Sequence, residues 1–217
     1  MIGQTFNGCL IESIVAVTTT GTVYQAKDVL LEVHRAIKIL HHQLVEKEMI
    51  RKRFKMAIQA WAKLDNPYFA QLFFAIENEK DLGFIMDFIQ GTTLREILKK
   101  QGRLGISQAV DYFLQILKAI AFAHKQGVLH RKLAPENVKV GEDESVKILG
   151  MGSLRTIDLP RSTPPNLYLG KVHYMAPEQF KGIYSIQSDQ YTLGAIFYEM
   201  VTDRKSTRLN SSHVSQS

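Results

Sequence analysis

The sequence predicts an α+β fold with two lobes, in which a small strand-rich lobe with one long helix precedes a mainly helical lobe. Three early runs, CLIESIV, GTVYQAKD and VHRAIKIL, are rich in branched apolar residues and are separated by Thr, Gly or charged clusters. Such spacing is typical of a strand meander. After Gly91 the apolar residues instead recur at the helical period. We therefore expect residues 11–90 to form the first lobe and residues 91–202 the second.

The long helix of the first lobe is predicted between Gln43 and Leu64. Ala57, Ala60, Trp61 and Leu64 are spaced to share one face, and Asn66-Pro67 is a stop signal. Two further strand-like runs, AQLFFAIE and LGFIMDFI, follow and are joined by the polar turn NEKD.

Helices dominate the predicted second lobe. TTLREILKK and SQAVDYFLQILKAIAFAHKQG have helical spacing. Ser107 is the expected N-cap of the longer helix, and Gly127 suits a left-handed stop at its end. SDQYTLGAIFYEM is a third predicted helix.

Composition limits the classes of function. The 217 residues carry a formal charge of +6, 45% are hydrophobic and 22% are charged, as in ordinary globular proteins. The single cysteine, Cys9, cannot form an internal disulfide, which favours a cytoplasmic setting. The sequence contains neither a signal peptide nor eighteen consecutive apolar residues, so we expect no membrane segment. The basic run Lys47–Lys55 is interpreted as a solvated helix face, and no nucleic-acid partner is expected.

Five motifs then occur in one order along the chain. Lys38 ends AIK, the loop HRKLAPEN spans residues 130–137, GMG begins at Gly150, APE spans residues 176–178, and Asp189 follows in SDQYTLGAIFYEM. In this order and spacing, from about Ile11 to Thr202, the chain resembles the bacterial serine/threonine protein kinases of the Hanks type. The resemblance implies a bilobal protein kinase-like fold, with Asp189 as a buried anchor.

The same resemblance implies the positions of a vestigial ATP site. Lys38 would contact the phosphates, Ala36 and Val23 would cover the adenine, and Met86 would precede the hinge at Asp87–Ile89. The full set is Gly21, Val23, Ala36, Lys38, Met86, Asp87, Ile89 and Asn137. Gly21 is what remains of the glycine-rich turn.

Residues that the family uses for phosphate transfer are replaced. Lys132 occupies the position of the catalytic aspartate and Ala134 that of the assisting lysine. A lysine side chain carries a proton near neutral pH and cannot accept the one that the substrate hydroxyl must lose. Gly150 occupies the position of the metal-binding aspartate, which leaves Asn137 as the one metal ligand, and Ala57 occupies that of the helix glutamate. We therefore expect Mg²⁺ binding to be lost and ATP binding to be weak at most.

Two further lysines depart from the family pattern. Lys139 occupies a position where the family places an apolar residue beneath the adenine ring, and burial of its charge would oppose nucleotide binding. Lys171 occupies the position of a threonine that touches the catalytic aspartate. With Lys132 at the aspartate position, two cations are expected to crowd one place.

These replacements predict a pseudokinase-like binding or regulatory module in serine/threonine kinase signalling, whose partner is a protein such as an active kinase. The alternatives are a kinase with residual ATP binding and weak or altered phosphate transfer, and an assembly fragment without a function of its own. Residues 203–217 are polar and patternless and are expected to be disordered. Asp203–His213 reads as a translated sequencing adapter, so the helical lobe is expected to be incomplete.

Overall fold

A computed structural model of the chain describes residues 1–150, 155–156 and 171–202. It divides into two units, each described here by itself. The first comprises Met1–Asp65 and Ala70–Gln90, and the second comprises Asn66–Phe69 and the chain from Gly91 onward. The predicted adapter segment, residues 203–217, lies outside the described residues. The α+β class is confirmed, with a strand-rich first unit and a mainly helical second unit.

The first unit is built on one antiparallel sheet. Its strands are β1 (Thr5–Phe6), β2 (Cys9–Thr18), β3 (Gly21–Asp28), β4 (His34–Leu40), β5 (Leu72–Glu77) and β6 (Leu82–Asp87). Their order across the sheet is β1-β2-β3-β4-β6-β5. The predicted meander is thus confirmed for β2 to β4, while β6 lies between β4 and β5.

The two faces of this sheet carry different side chains, because successive residues of a strand point to opposite sides. Tyr24 pairs with Ile37, and Ile37 pairs with Ile85. These three belong to one buried apolar cluster, which comprises Cys9, Ile11, Tyr24, Ala26, Ile37, Ile39, Ile76 and Ile85. The neighbouring row, Val23, Lys38 and Phe84, lies on the opposite face.

The long helix predicted from Gln43 to Leu64 is interrupted, so that prediction was wrong in part. The chain forms α1 (His42–Val45) and α2 (Glu48–Trp61), and between them Lys47 is extended, with φ −87° and ψ 110°. Arg51 Nε donates to the Val45 carbonyl oxygen at 2.9 Å. This side-chain bond satisfies a carbonyl at the end of α1 that a continuous helix would have bonded internally.

The second unit consists mainly of helices. They are α3 (Leu94–Gln101), α4 (Ile106–Lys125) and α5 (Ile186–Thr202), with short 3-10 turns at Pro135–Asn137, Val172–Tyr174 and Pro177–Lys181. The small strands are β7 (Thr92–Thr93), β8 (Val128–Leu129), β9 (Val138–Val140), β10 (Val146–Ile148) and β11 (Arg155–Thr156). Strands β7, β9 and β10 form one small sheet, and β8 pairs with β11.

The capping of the second unit's helices agrees in part with the sequence. Thr93 and Glu96 form a reciprocal capping box at the start of α3. The predicted N-cap of α4, Ser107, is wrong. The helix begins at Ile106 and its N-cap is Gly105, so Ser107 lies inside the first turn. Gly127 has φ +69°, which confirms the left-handed stop.

One described helix, α4, is long and apolar enough to cross a membrane by length and composition. This is weak evidence, because the core helix of a soluble domain passes the same test. Its inner face is buried within the second unit; the buried side chains are Ala109, Tyr112, Ile116, Ala119, Ile120 and Ala123.

Candidate functional site

Four of the predicted nucleotide-binding residues lie on one face of the first unit's sheet. Val23 is directly opposite Lys38 across β3 and β4, and Ala36 is directly opposite Met86 across β4 and β6. Because Ala36 and Lys38 are two residues apart, both rows point to the same side. Asp87 follows on β6, and Ile89 lies just beyond that strand.

Gly21 opens β3 and approaches β4 very closely. A Cβ at this position would lie 2.1 Å from the Ile39 carbonyl oxygen and 2.8 Å from the Leu40 Cα. Only glycine fits this close contact between two backbones.

Helix α2 packs on this sheet with an apolar face. Phe54 and Trp61 both contact the ring of Phe84, with ring centroids at 6.4 Å and 5.0 Å, and Phe84 is directly opposite Lys38. Ala57, which is predicted to occupy the position of the family's helix glutamate, is one of the buried residues of α2. The one acidic residue of α2 is Glu48, which is 72% exposed and contacts Lys52 at 3.6 Å. The helix therefore presents no carboxylate to the sheet.

In the second unit, Asp189 anchors the loop that begins at His130. Its Oδ2 accepts from the backbone N–H of His130 at 2.9 Å, and its Oδ1 accepts from that of Arg131 at 3.0 Å. The His124 ring nitrogen Nε2 lies 3.0 Å from Oδ2. Asp189 is 2% exposed, so the prediction of a buried anchor is confirmed. It holds Arg131 at φ +66°, a conformation that non-glycine residues rarely adopt.

His130 fixes the other end of this anchored region. Its Nε2 lies 3.1 Å from the Leu149 carbonyl oxygen, and since a carbonyl can only accept, this nitrogen carries the proton. The side chain is fully buried, and burial lowers the pKa of His130, while the attraction of Asp189 opposes that shift. The imidazole is therefore held as a neutral structural donor.

Three residues that should carry the chemistry lie together after this anchor. Asn137 Nδ2 donates to the Lys132 carbonyl oxygen at 2.6 Å, and the Asn137 carbonyl accepts from Leu149 N–H at 2.7 Å. Gly150, with φ +80°, lies against the Asn137 side chain, because a Cβ there would be 2.7 Å from Asn137 Cγ. The structure thus brings Lys132, Asn137 and Gly150 together, and none of them carries a carboxylate.

Ala134 and Lys139 complete the predicted positions. Ala134 is buried, and its carbonyl accepts from Asn137 N–H at 2.8 Å. Lys139 lies on β9 between two buried valines, Val138 and Val140, so its side chain points to the opposite face. There it is half-buried, and burial lowers the pKa of Lys139, an effect that the nearby Glu96 opposes.

A buried ionic network that sequence reasoning missed adjoins this loop. The Arg95 guanidinium on α3 binds Glu199 of α5 through two nitrogens, at 2.7 Å and 3.1 Å, and binds Glu136 at 2.9 Å. The Tyr174 hydroxyl bonds both Arg95 and Glu199. Burial and the hydrogen bond to Glu199 raise the pKa of Tyr174. These residues are far apart in sequence, and no local motif connects them.

Lys171 joins the network at its exposed edge. Its ammonium lies 2.7 Å from Glu136 Oε1, and its side chain is 54% exposed. Glu136 is thus shared by Arg95 and Lys171, and the bonds to these cations lower the pKa of the Glu136 carboxyl against the opposing effect of burial. The crowding of Lys171 with Lys132 stays a prediction, and the structure pairs Lys171 with the Glu136 carboxylate.

The predicted metal positions offer few of the ligands that a magnesium ion prefers. Mg²⁺ prefers carboxylate oxygens in octahedral geometry, whereas Asn137 supplies a neutral amide and Gly150 supplies no side chain. The Glu136 carboxylate in the same loop is already paired with Arg95 and Lys171. Within the described residues, no group of three or more His, Cys, Asp or Glu side chains could hold a metal ion.

A strand-rich unit with a lysine on one sheet face, together with a loop anchored by a buried aspartate, is the arrangement of a protein kinase domain. The model of the protein kinase domain family matches residues 15–216. The chain belongs to this family, among its bacterial, Hanks-type serine/threonine members, and the predicted kinase-like fold is confirmed.

Curated relatives have the same character. A probable serine/threonine-protein kinase of Clostridium acetobutylicum is 33% identical over 206 residues, which is 94% of this chain and 31% of that protein. PrkC of Bacillus subtilis is 31% identical over 183 residues, 84% of this chain and 28% of PrkC. PknL of Mycobacterium tuberculosis is 30% identical over 194 residues, 89% of this chain and 49% of PknL. The chain thus spans about a quarter to a half of the length of these kinases.

Proposed function

We propose that this domain is a pseudokinase-like module that binds a protein partner, with an active serine/threonine kinase as the first candidate. One observation supports the proposal: Lys132, which the family resemblance assigns to the position of the catalytic aspartate, follows directly after His130 and Arg131 in the loop that Asp189 anchors. Asn137 and Gly150 lie beside it and supply no replacement.

The chemistry of phosphate transfer supports this proposal. A kinase positions ATP and neutralises its charge with a lysine held by a helix glutamate, with metal-bound aspartate and asparagine, and with a base for the hydroxyl. Loss of a general base alone lowers the rate by roughly two to four orders of magnitude. Here Ala57 and Gly150 also replace acidic residues, so several stabilising interactions of the transition state are removed together.

A binding role is consistent with the bonded framework of the described residues. The anchor of the loop, the Arg95 network and the sheet that carries Lys38 are formed from buried, bonded groups. A domain that keeps this framework can present a defined surface to a partner without transferring phosphate. The proposed cytoplasmic setting accords with a single buried cysteine.

Thermal shift of the full chain with ATP, with and without Mg²⁺, tests the loss of catalysis. We expect at most a small shift with ATP, no further shift with Mg²⁺, and no labelled phosphate transferred to the chain itself. Lys38→Ala is the matched control, because it removes the phosphate-contacting group. A magnesium-dependent shift that Lys38→Ala abolishes would contradict the proposal.

A second measurement tests the partner. The chain is added to the kinase domain of Bacillus subtilis PrkC, and the rate of PrkC autophosphorylation is followed. A change that saturates with chain concentration supports the binding role, whereas an unchanged rate at high micromolar chain removes an active kinase of this type as the partner.

The second candidate function is a kinase with weak or altered nucleotide chemistry. It is favoured by the shared sheet face of Val23, Ala36, Lys38 and Met86, which is the arrangement that adenine and phosphate would need. The half-buried Lys139 opposes it. The ATP titration above distinguishes the two candidates.

A further inference from the structure

We infer that the β2–β3 turn, Thr18–Gly21, is a fixed strap fastened to the end of β4 by His41, and not a movable cover. In active kinases a glycine-rich loop at this place covers the phosphates of ATP. Here the turn reads TTTG, and the carbonyl oxygens of Thr18 and Thr20 and the Thr18 hydroxyl are bonded within the first unit.

His41 makes two of these bonds. Its backbone N–H donates to the Thr20 carbonyl oxygen at 3.1 Å, and its ring nitrogen Nε2 lies 2.8 Å from the Thr18 carbonyl oxygen. Since the second acceptor is also a carbonyl, Nε2 must carry a proton.

The turn also bonds to itself. The Thr18 hydroxyl donates to the Gly21 carbonyl oxygen at 2.7 Å, and the Thr20 N–H lies 3.4 Å from the Thr18 hydroxyl oxygen. A loop that binds phosphate does so with free backbone N–H groups that point at the ligand. In this turn the Thr18 hydroxyl oxygen lies near the Thr20 N–H and competes with a phosphate for that donor.

Close backbone contact holds the far side of the strap. Gly21 pairs with Leu40 across β3 and β4, and a Cβ on Gly21 would meet the Ile39 carbonyl oxygen. Between this contact and the bonds of His41, both ends of the turn are tied to residues 39–41. These bonds at both ends of the turn must break before the turn can open, which opposes its opening.

This conformational role goes beyond the proposed function and does not depend on whether nucleotide binds. It predicts that the amides of Thr20 and His41 are protected from exchange in the absence of any ligand. The family's glycine-rich loop has become a structural connection between β2, β3 and β4.

Amide hydrogen exchange, measured by NMR on the full chain without nucleotide, tests the strap. His41→Phe removes the ring donor and keeps an aromatic ring. We expect the amides of Thr20 and residue 41 to exchange about tenfold faster, the effect of losing roughly one hydrogen bond. His41→Gln, whose amide can still donate, should restore most of the protection, and His42→Phe is the matched control at the adjacent exposed histidine, which should change nothing.

Thr18→Val gives an independent test, because it removes the hydroxyl and keeps the shape of the side chain. It tests the strap even if His41→Phe does not fold. We expect faster exchange at Thr20 here as well. Exchange within twofold of the unmodified chain in the folded variants would overturn the strap. Because no ATP is present, that result would not bear on the pseudokinase proposal. Conversely, a magnesium-dependent ATP shift would contradict the pseudokinase proposal without bearing on the strap.

Discussion

The base and the tip of the loop at residues 130–137 differ in burial and in how closely they match the family pattern. At the base, His130 and Arg131 are fixed by Asp189, with backbone bonds of 2.9 Å and 3.0 Å. At the tip, Lys132 and Asn137 are half-buried, and Gly150 beside them is exposed. The anchoring groups are bonded as the family resemblance predicts, while the residues predicted to act on ATP differ from the family pattern.

Burial explains this difference. Removal of one partner from a buried, bonded polar group leaves the other without water or a partner, which destabilises the fold strongly. Substitutions at half-buried or exposed positions usually change stability little. Substitution of a half-buried tip residue such as Lys132 is therefore expected to cost little stability, whereas the bonded base must be kept for the domain to fold.

The largest expected effect is at the anchor itself. Asp189→Asn keeps the size of the side chain but removes its charge and replaces an acceptor with a donor. We expect the free energy of unfolding, measured by urea denaturation, to fall by about 4 kcal/mol. The matched control is Asp111→Asn on the exposed face of α4, for which a change within about 0.5 kcal/mol is expected. Equal effects at the two sites would remove the distinction between base and surface.

A slightly smaller loss is expected in the Arg95 network. Arg95→Met retains the apolar stem but leaves the buried Glu199 carboxylate without its guanidinium, so we expect a loss of about 3 kcal/mol. Arg103→Met, at an exposed position near the end of α3, serves as the control. An Arg95 variant as stable as the Arg103 variant would show that the network contributes nothing net.

This network also marks the limit of what the sequence predicts. Local patterns predicted the β2 to β4 meander, helices α3 to α5 and the Gly127 stop, since each depends on residues close in the chain. The break between α1 and α2 was not predicted, because it involves a side-chain bond from Arg51 to the Val45 carbonyl oxygen that the helical spacing does not reveal. The contact of Arg95 with Glu199 spans 104 residues, and only the tertiary fold brings the two together.

The pH dependence of stability also tests how His130 is held at the base of the loop. Burial lowers the pKa of His130, whereas in the unfolded chain histidine titrates near about 6.5. Below that pH the unfolded chain binds a proton that the folded chain does not, so stability falls as the pH is lowered, until the folded pKa is reached. Each unit of difference between the two pKa values corresponds to about 1.4 kcal/mol.

Urea denaturation between pH 7.5 and pH 5 measures this step. His42→Gln, at an exposed histidine, should leave the slope unchanged, whereas His130→Gln should flatten it. A flat profile in the unmodified chain would mean that His130 is not held neutral by the fold.

The smallest expected effect is at the tip, with Lys132→Asp. The backbone carbonyl of residue 132 can still accept from Asn137 Nδ2, so stability should change by less than about 1 kcal/mol. Labelled ATP should still transfer no phosphate, because Gly150 and Ala57 remain, and a base without a metal site or a held lysine restores only one part of the mechanism. Lys132→Asn is the control of similar size. Phosphate transfer by Lys132→Asp alone would mean that the tip lost a single group and otherwise kept its chemistry, and the domain would then be a kinase one substitution away from activity.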